Sequence, residues 1–341
     1  MSHRNGALRF DEAAPADKQW TFYDYRDGLH NGPVTSIVQD HNGVLWFAGS
    51  ASQRATITRY DPSQLPERAW QIYTNIPDIP GKSIGWSAVI DSKNRLWLTT
   101  EHTDLEAAKR DSSKGSYGVV CFDGKNWTRY TVADGLVHNR VYDIAEDKNG
   151  HLWFATYKGL SRFDDQTWTT YQLPNGPGID KVYRICVMNN GAIWFTHGDA
   201  GDGSGGISIY HKNTWQHITQ RDGLPVPYVR FIYQAQDSTV WLGTHRHDNV
   251  SGLLRYRNGN WLRLYKQDDL PVDNIYGITQ ARDGTIYLLP GGDKIARLQP
   301  DKLPLKTISG TLKDTSGKPV SNRSIHIRIA HNQIRAGSRT D

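Results

Sequence analysis

One short phrase returns six times along the chain: GVLWFAGS, NRLWLTTE, GHLWFATY, GAIWFTHG, STVWLGTH and, in weakened form, GTIYLLPG. Its aromatic anchors are Trp46, Trp97, Trp153, Trp194, Trp241 and Tyr287, spaced 51, 56, 41, 47 and 46 residues apart. A repeat of this length marks an architecture in which each unit buries its apolar face only against its neighbours. A second series opens another short stretch at Trp20, Trp70, Trp127, Trp168, Trp215 and Trp261, as in WTFYDY and WTTYQL. Together the two series absorb all of the 12 tryptophans except Trp86.

The gaps between anchors are strand-length. Each first-series anchor follows a stretch such as VTSIVQD or VYDIAED, which runs into HNG, KNG, NNG or RDG. Asn-Gly and Asp-Gly signal hairpins because these residues tolerate the positive φ of a tight turn. A third strand follows, as in ITRYD or LSRFDD, and then the second tryptophan series. Each unit is therefore four short antiparallel strands (A to D) of about 45 residues, the length of a propeller blade. Six A–B–C sets start near residues 34, 85, 141, 182, 229 and 275. The first Trp-led outer strand, Trp20 to Tyr25, precedes the first set, and the sixth set has none after it. The simplest closure lets this N-terminal outer strand complete the last blade, which removes an open sheet edge. The expectation is an all-β fold: a six-bladed β-propeller of four-stranded antiparallel blades over residues 18–302, after an N-terminal tail at 1–17.

Composition narrows the functional classes. At 11% aromatic residues the 341-residue chain is not disordered. No stretch approaches the roughly 18 apolar residues of a membrane span, and MSHRNGALRF shows no apolar signal-peptide core. Cys121 and Cys186 make neither a disulfide framework nor a metal knuckle. The net charge of +5 lies in the C-terminal stretch, where residues 301–341 carry 8 Lys+Arg against 3 Asp+Glu. The body is neutral and lacks the basic footprint that nucleic acid demands.

The phrases VYDIAEDKNGHLWFATYKGLSRFDDQTWTTY (141–171) and DGLVHNRVYDI (134–144) resemble the two-component regulator propeller repeat. The resemblance covers all six units, strongest in the third and weakest in the sixth, where Tyr287 stands for Trp. It implies the ligand-sensing, extracytoplasmic part of a bacterial signalling protein, in a family where some members sense oligosaccharides. It also implies a signalling output domain, and this chain carries no kinase or helical output segment. Related single-chain propellers include the streptogramin B lyases, so the repeat implies a scaffold more firmly than a ligand. After residue 306 the pattern changes, and ISGTLKDTSGKPVSNRSIHIRIAHNQIRAGSRTD resembles the opening strands of a carboxypeptidase regulatory-like β-sandwich. Residues 303–341 are too few for an independent sandwich, so the expectation is a partial module as a short C-terminal β segment.

Candidate site residues come from positions that break the repeat. The B–C loops vary from Tyr157-Lys158 to EHTDLEAAKRDSSKGSY, whereas the A–B turns are uniform, and variable loops on a rigid scaffold carry function. The second residue of each A strand is Thr35, Trp86, Tyr142, Tyr183, Arg230 or Tyr276. A ring of aromatic faces with a cation suits a sugar or an aromatic ligand at a channel mouth. The same residues also suit packing between blades. The B-strand ends contribute Glu101, His102, Tyr157, His197, His245 and His247 as rim candidates. GDAGDGSGG (198–206) lacks the alternating ligands and terminal glutamate of a calcium loop. Neither a cofactor nor a metal site is expected. The reading is a non-catalytic sensor that binds a small molecule, plausibly a saccharide. The alternatives are a protein–protein scaffold and a lyase using a loop histidine as base with Glu101 as its partner.

Overall fold

In the computed structural model the described residues are 2–3, 6–10, 15, 20–52, 54–74, 76, 83–101, 117–172, 181–197, 205–244, 252–264, 275–281, 283–290, 296–298, 326–330 and 333–337. They form the expected antiparallel blades. Blade three shows the plan, with strands A to D at Val141–Glu146, Leu152–Thr156, Gly159–Phe163 and Trp168–Tyr171, each paired with the next. Blades one, two, four and five repeat it with A strands at Val34–Gln39, Ser83–Ile90, Val182–Val187 and Phe231–Gln234. Blade six has three strands among the described residues, Ile275–Gln280, Ile286–Pro290 and Ala296–Leu298. Successive A strands adjoin, which makes them the innermost layer.

The tryptophan repeat has a direct packing cause: each anchor buries itself against the following blade. Trp97 joins Leu136, Val141 and Ile144 of blade three, and Trp153 joins Val182, Ile185 and Phe195 of blade four. Trp241 packs with Ile275, Ile278 and Leu288 of blade six. No blade can bury its own anchor, so the repeat persists wherever a neighbour follows. The second-series rings pack against these anchor clusters, as Trp168 does against the cluster of Trp97, stacking on its Phe163 at 4.5 Å. At the A–B turns the third residue before each anchor (Gly43, Asn94, Gly150, Gly191, Ser238, Gly284) has positive φ. That is the conformation the Asn-Gly and Asp-Gly signals predicted.

Closure differs from expectation. Trp20–Tyr23 pairs with Gly6–Phe10, which pairs with Ser2–His3, so the Trp-led strand is the outer strand of its own three-stranded sheet rather than of blade six. The stretch expected as a tail thus holds two strands, which carry no tryptophan anchor to reveal them. This sheet adjoins blade one, where Ala7 is buried with Leu29, Val34 and Phe47. Towards the C-terminus His326–Ala330 and Gln333–Gly337 form a hairpin. Among the described residues no helix is long and apolar enough to cross a membrane.

Candidate functional site

The two ends of the A strands are chemically unlike. At the A–B turn end, one aspartate per turn serves a fixed set of donors in blades one to three. Asp147 accepts from Asn149 N, His151 N and Trp153 Nε1 at 2.8–3.0 Å, and Asp40 and Asp91 do the same for Trp46 and Trp97. Neighbouring turns are then latched: Ser92 N donates to Glu146, Asn189 N to Gln234 and Gln236 N to Gln280.

The opposite, N-terminal ends carry the candidate site. The A–B ladder breaks register between Val34 and Ser36, Ile84 and Ala88, Val141 and Asp143, Val182 and Arg184, and Ile275 and Gly277. A bulge re-aims the extra residue away from the ladder, and the residues inside these breaks include Thr35, Trp86, Tyr142, Tyr183 and Tyr276. In blade five Arg230 directly precedes the strand, its N–H donating to Gly243 O at 2.9 Å. Thr35 is used internally, its hydroxyl donating to Ala48 O and Gly85 O.

Blades three to five bring their rings and cations into one continuous run. Tyr142 and Tyr183 lie 5.0 Å apart between ring centroids. The Arg140 guanidinium sits 5.3 Å over Tyr142 and 5.8 Å over Tyr157, and Lys181 Nζ sits 4.8 Å over Tyr157. On the other side Arg230 lies 4.8 Å over Tyr183 and 5.6 Å over Tyr228. All seven side chains keep some exposure, and Lys181 is exposed. Each separation is within the roughly 6 Å at which a ring face attracts a cation. Burial holds the Tyr183 phenol above its usual range, so it remains a neutral hydroxyl at physiological pH. His138 supports the run from below, buried 5.4 Å from Tyr157, with Nδ1 accepting from Arg140 N.

Beneath the rings the next residues of the A strands form a closed polar belt. Asp143 accepts from Ser87 Oγ at 2.7 Å and Ile185 N at 3.0 Å, with Arg184 Nη1 3.5 Å away. The Arg184 guanidinium in turn lies 5.8 Å over Phe231. This belt ties blades two to five together and gives the mouth a charge-balanced floor.

The structure therefore joins Tyr142, Tyr157, Tyr183 and Arg230, and adds Arg140, Lys181 and Tyr228. These additions sit two residues before Tyr142, Tyr183 and Arg230, and so on the same face of an extended chain. The tripeptides Arg140-Val-Tyr142, Lys181-Val-Tyr183 and Tyr228-Val-Arg230 alternate exposed chemistry with a buried valine. That alternation was the available signal. Trp86 and Tyr276 lie in A strands and Glu101 ends a B strand opposite Ser83, but their side chains fall outside the described residues. His102, His245 and His247 also lie outside them.

His197 is not a rim residue. It is the last residue of its B strand, 2% exposed, with Nε2 2.6 Å from Ser208 Oγ. Ser208 Oγ also meets His217 Nδ1 at 2.8 Å. A serine between two histidines has the makings of a nucleophile and base, but Ser208 is fully buried. It occupies the C-strand position that Thr58 and Ser161 fill in blades one and three, where both are buried and bind the backbone of an incoming loop. Burial pushes the thiols of Cys121 and Cys186 up to about 12 and about 11. Among the described residues no cluster of three or more His, Cys, Asp or Glu is placed to hold a metal ion.

Comparison with known proteins agrees with this architecture. The two component regulator propeller family model matches residues 28–51 and 135–158, which lie in blades one and three. No curated protein sequence matches it. Among solved structures it is similar to the extracellular domain of a B. thetaiotaomicron protein described as a hybrid two component system, BT3049. That match has a TM-score of 0.60 and 20% identity, covering 93% of this chain and 40% of the other. It is similar to PorZ, a surface component of the type-IX secretion system of Porphyromonas gingivalis, with a TM-score of 0.53, 14% identity and coverage of 84% and 44%. The WD40 β propeller domain of Doa1 matches with a TM-score of 0.58 at 13% identity, covering 88% of each chain. These likenesses establish the β-propeller fold. The chain spans less than half the length of the first two.

Proposed function

We propose that this chain is the ligand-binding propeller of a bacterial signalling or surface protein, lying outside the cytoplasm and taking an anionic small molecule, an acidic saccharide, at the A-strand mouth. The observation that carries this reading is the unbroken run Lys181, Tyr157, Arg140, Tyr142, Tyr183, Arg230 and Tyr228. The scaffold does not demand such residues, because blade one has Thr35 at the matching position, its hydroxyl used internally. Ring faces stack on a sugar's apolar face and cations meet its carboxylates, and here both occur side by side along one run. Trp86 and Tyr276, on the flanking A strands, extend the proposed surface, and Glu101, His102, His245 and His247 belong to loops that would border it.

The extracellular role stated for BT3049 and the surface role stated for PorZ agree with the proposed setting. Coupling to an output domain belongs to the same proposal, since this chain spans only part of those proteins.

A thermal-shift titration against neutral and uronic-acid oligosaccharides at low salt tests the reading. Acidic oligosaccharides should raise Tm with concentration, as any ligand of the folded state does, and added salt should shrink the rise. The variant Arg140→Ala/Arg230→Ala should lose the shift while keeping its own unliganded Tm close to the parent's. No shift with either class, or an undiminished shift in the double variant, would overturn the proposal.

A further inference from the structure

At the other end of the A strands, blade five lacks the turn aspartate of blades one to three, as do blades four and six with Met188 and Ala281. Its turn backbone is that of blades one and three: Ala235 N donates to Thr239 O and Ser238 N to Ala235 O, as Asp147 N donates to His151 O and Gly150 N to Asp147 O. Yet the aspartate that serves the anchor indole is here Ala235. Asp237 and Thr239 close the turn instead, with Thr239 N and Oγ1 donating to the Asp237 carboxylate. That arrangement leaves the anchor unserved. Trp241 is 1% exposed, and its Nε1 is a buried donor with no acceptor among the described residues.

The cross-strand partner repeats the pattern. Arg59, Arg162 and Arg255 stand opposite Trp46, Trp153 and Trp241. In blades one and three an aspartate follows two residues later, and Asp61 pairs with Arg59 at 2.9 Å. In blade five that residue is Arg257, which lies 3.4 Å from Asp237. Arg255 itself has no hydrogen-bonded or ion-paired carboxylate among the described residues. Burial and the neighbouring Arg257 press its pKa down, against the opposing pull of Asp237. Where blade three has aspartates at positions 147 and 164, blade five has Ala235 and a second arginine, Arg257. These groups line a cavity of about 430 Å³ at the seam with blade six, closed on that side by Gln280 and by Asp283, whose carboxylate is held by Thr285 N and Oγ1.

We propose that this cavity is a second binding site, for a ligand carboxylate that hydrogen-bonds Trp241 Nε1 and pairs with Arg255. The incoming group takes the role that Asp40, Asp91 and Asp147 play inside blades one to three. A buried indole donor without an acceptor is costly in a folded protein, and one carboxylate satisfies it while pairing with the half-exposed Arg255. The site is at the far end of the A strands from the tyrosine–cation run and does not depend on it.

The test is the indole N–H spectrum of 15N-tryptophan-labelled protein, with the Trp241 signal assigned by Trp241→Phe. Sodium acetate, glucuronate and N-acetyl-glutamate amide are titrated separately against matched chloride. The small acids stand for a free carboxylate ligand and the last for an acidic peptide side chain. A saturable shift of the Trp241 signal with any of them, absent with chloride, is the expected result, and the probe that binds most tightly tells the two sources apart. Ala235→Asp builds the missing carboxylate onto an unchanged turn. It should place the Trp241 signal near those of Trp46, Trp97 and Trp153 and abolish the titration. Arg255→Gln should weaken it at least tenfold and serves if Ala235→Asp does not fold. A Trp241 signal unmoved by all three acids, or a titration that survives both substitutions, would overturn the proposal.

Discussion

Blade three and the mouth above it use the same residue types to opposite ends. Within the blade Arg162 lies 5.9 Å over the Trp153 ring, whose Nε1 is held by Asp147. At the mouth Arg140 and Arg230 lie over tyrosines, with rings rather than carboxylates as their neighbours. The buried set recurs in blades one and two, where Asp40 and Asp91 hold Trp46 and Trp97. The mouth set does not recur in blade one, since Thr35 stands where Tyr142 and Tyr183 do. A side chain that serves only the scaffold repeats with the scaffold. One that departs from the repeat, and keeps cations and rings half-exposed, needs another reason to be there.

The contrast predicts that buried members cost stability and mouth members cost binding. The largest effect should come from Trp153→Ala. It removes a fully buried ring and leaves Asp147 short of a donor, for about 3–5 kcal/mol of destabilisation. Denaturant unfolding measures it, and a loss under about 1 kcal/mol would place Trp153 outside the core. Asp91→Ala comes next at about 2–3 kcal/mol, because it orphans the buried Trp97 indole and leaves the Arg95 guanidinium with Asp165 as its one remaining carboxylate among the described residues. Asp91→Asn should recover part of the loss, since an amide oxygen still accepts from Trp97.

The fold was legible because Trp46 to Trp241 mark every blade that has a following neighbour. The two N-terminal strands were not, since Gly6–Phe10 carries no anchor and its pairing with Trp20–Tyr23 spans a long gap in sequence. At the mouth, reading only the second A-strand residue found Tyr142, Tyr183 and Arg230 but passed over Arg140, Lys181 and Tyr228 two residues earlier. His197 was misplaced because a glycine-rich stretch follows it. The B strand runs through it and buries it against Ser208 before that stretch begins.

Two smaller effects sharpen the contrast. Arg230→Ala should lower stability by only about 0.5–1 kcal/mol, the value of a partly exposed cation over a ring. A loss as large as that of Asp91→Ala would make Arg230 a scaffold residue. The smallest effect is a pH dependence from His30, which is buried with Nδ1 2.8 Å from Thr58 Oγ1 and whose pKa burial lowers below 6.5. The unfolded chain takes up a proton below pH 6.5 that the folded chain resists. Stability should therefore fall as pH drops through that range and be unaffected by this group above it. Comparing unfolding midpoints at about pH 7.5 and about pH 5.5, His30→Gln should flatten the slope by at most about 1.4 kcal/mol. An unchanged slope would remove His30 from the account.

The central claim is that the tyrosine–cation run is a binding surface, and calorimetric titration tests it most directly. An acidic oligosaccharide that raises the parent's Tm should be titrated into the parent, Tyr183→Ala and Arg230→Ala, each checked for an intact unfolding transition. The account predicts a single saturable site in the parent and at least tenfold weaker binding in both folded variants. Equal affinity in all three would show that the run takes no part in binding and would contradict it.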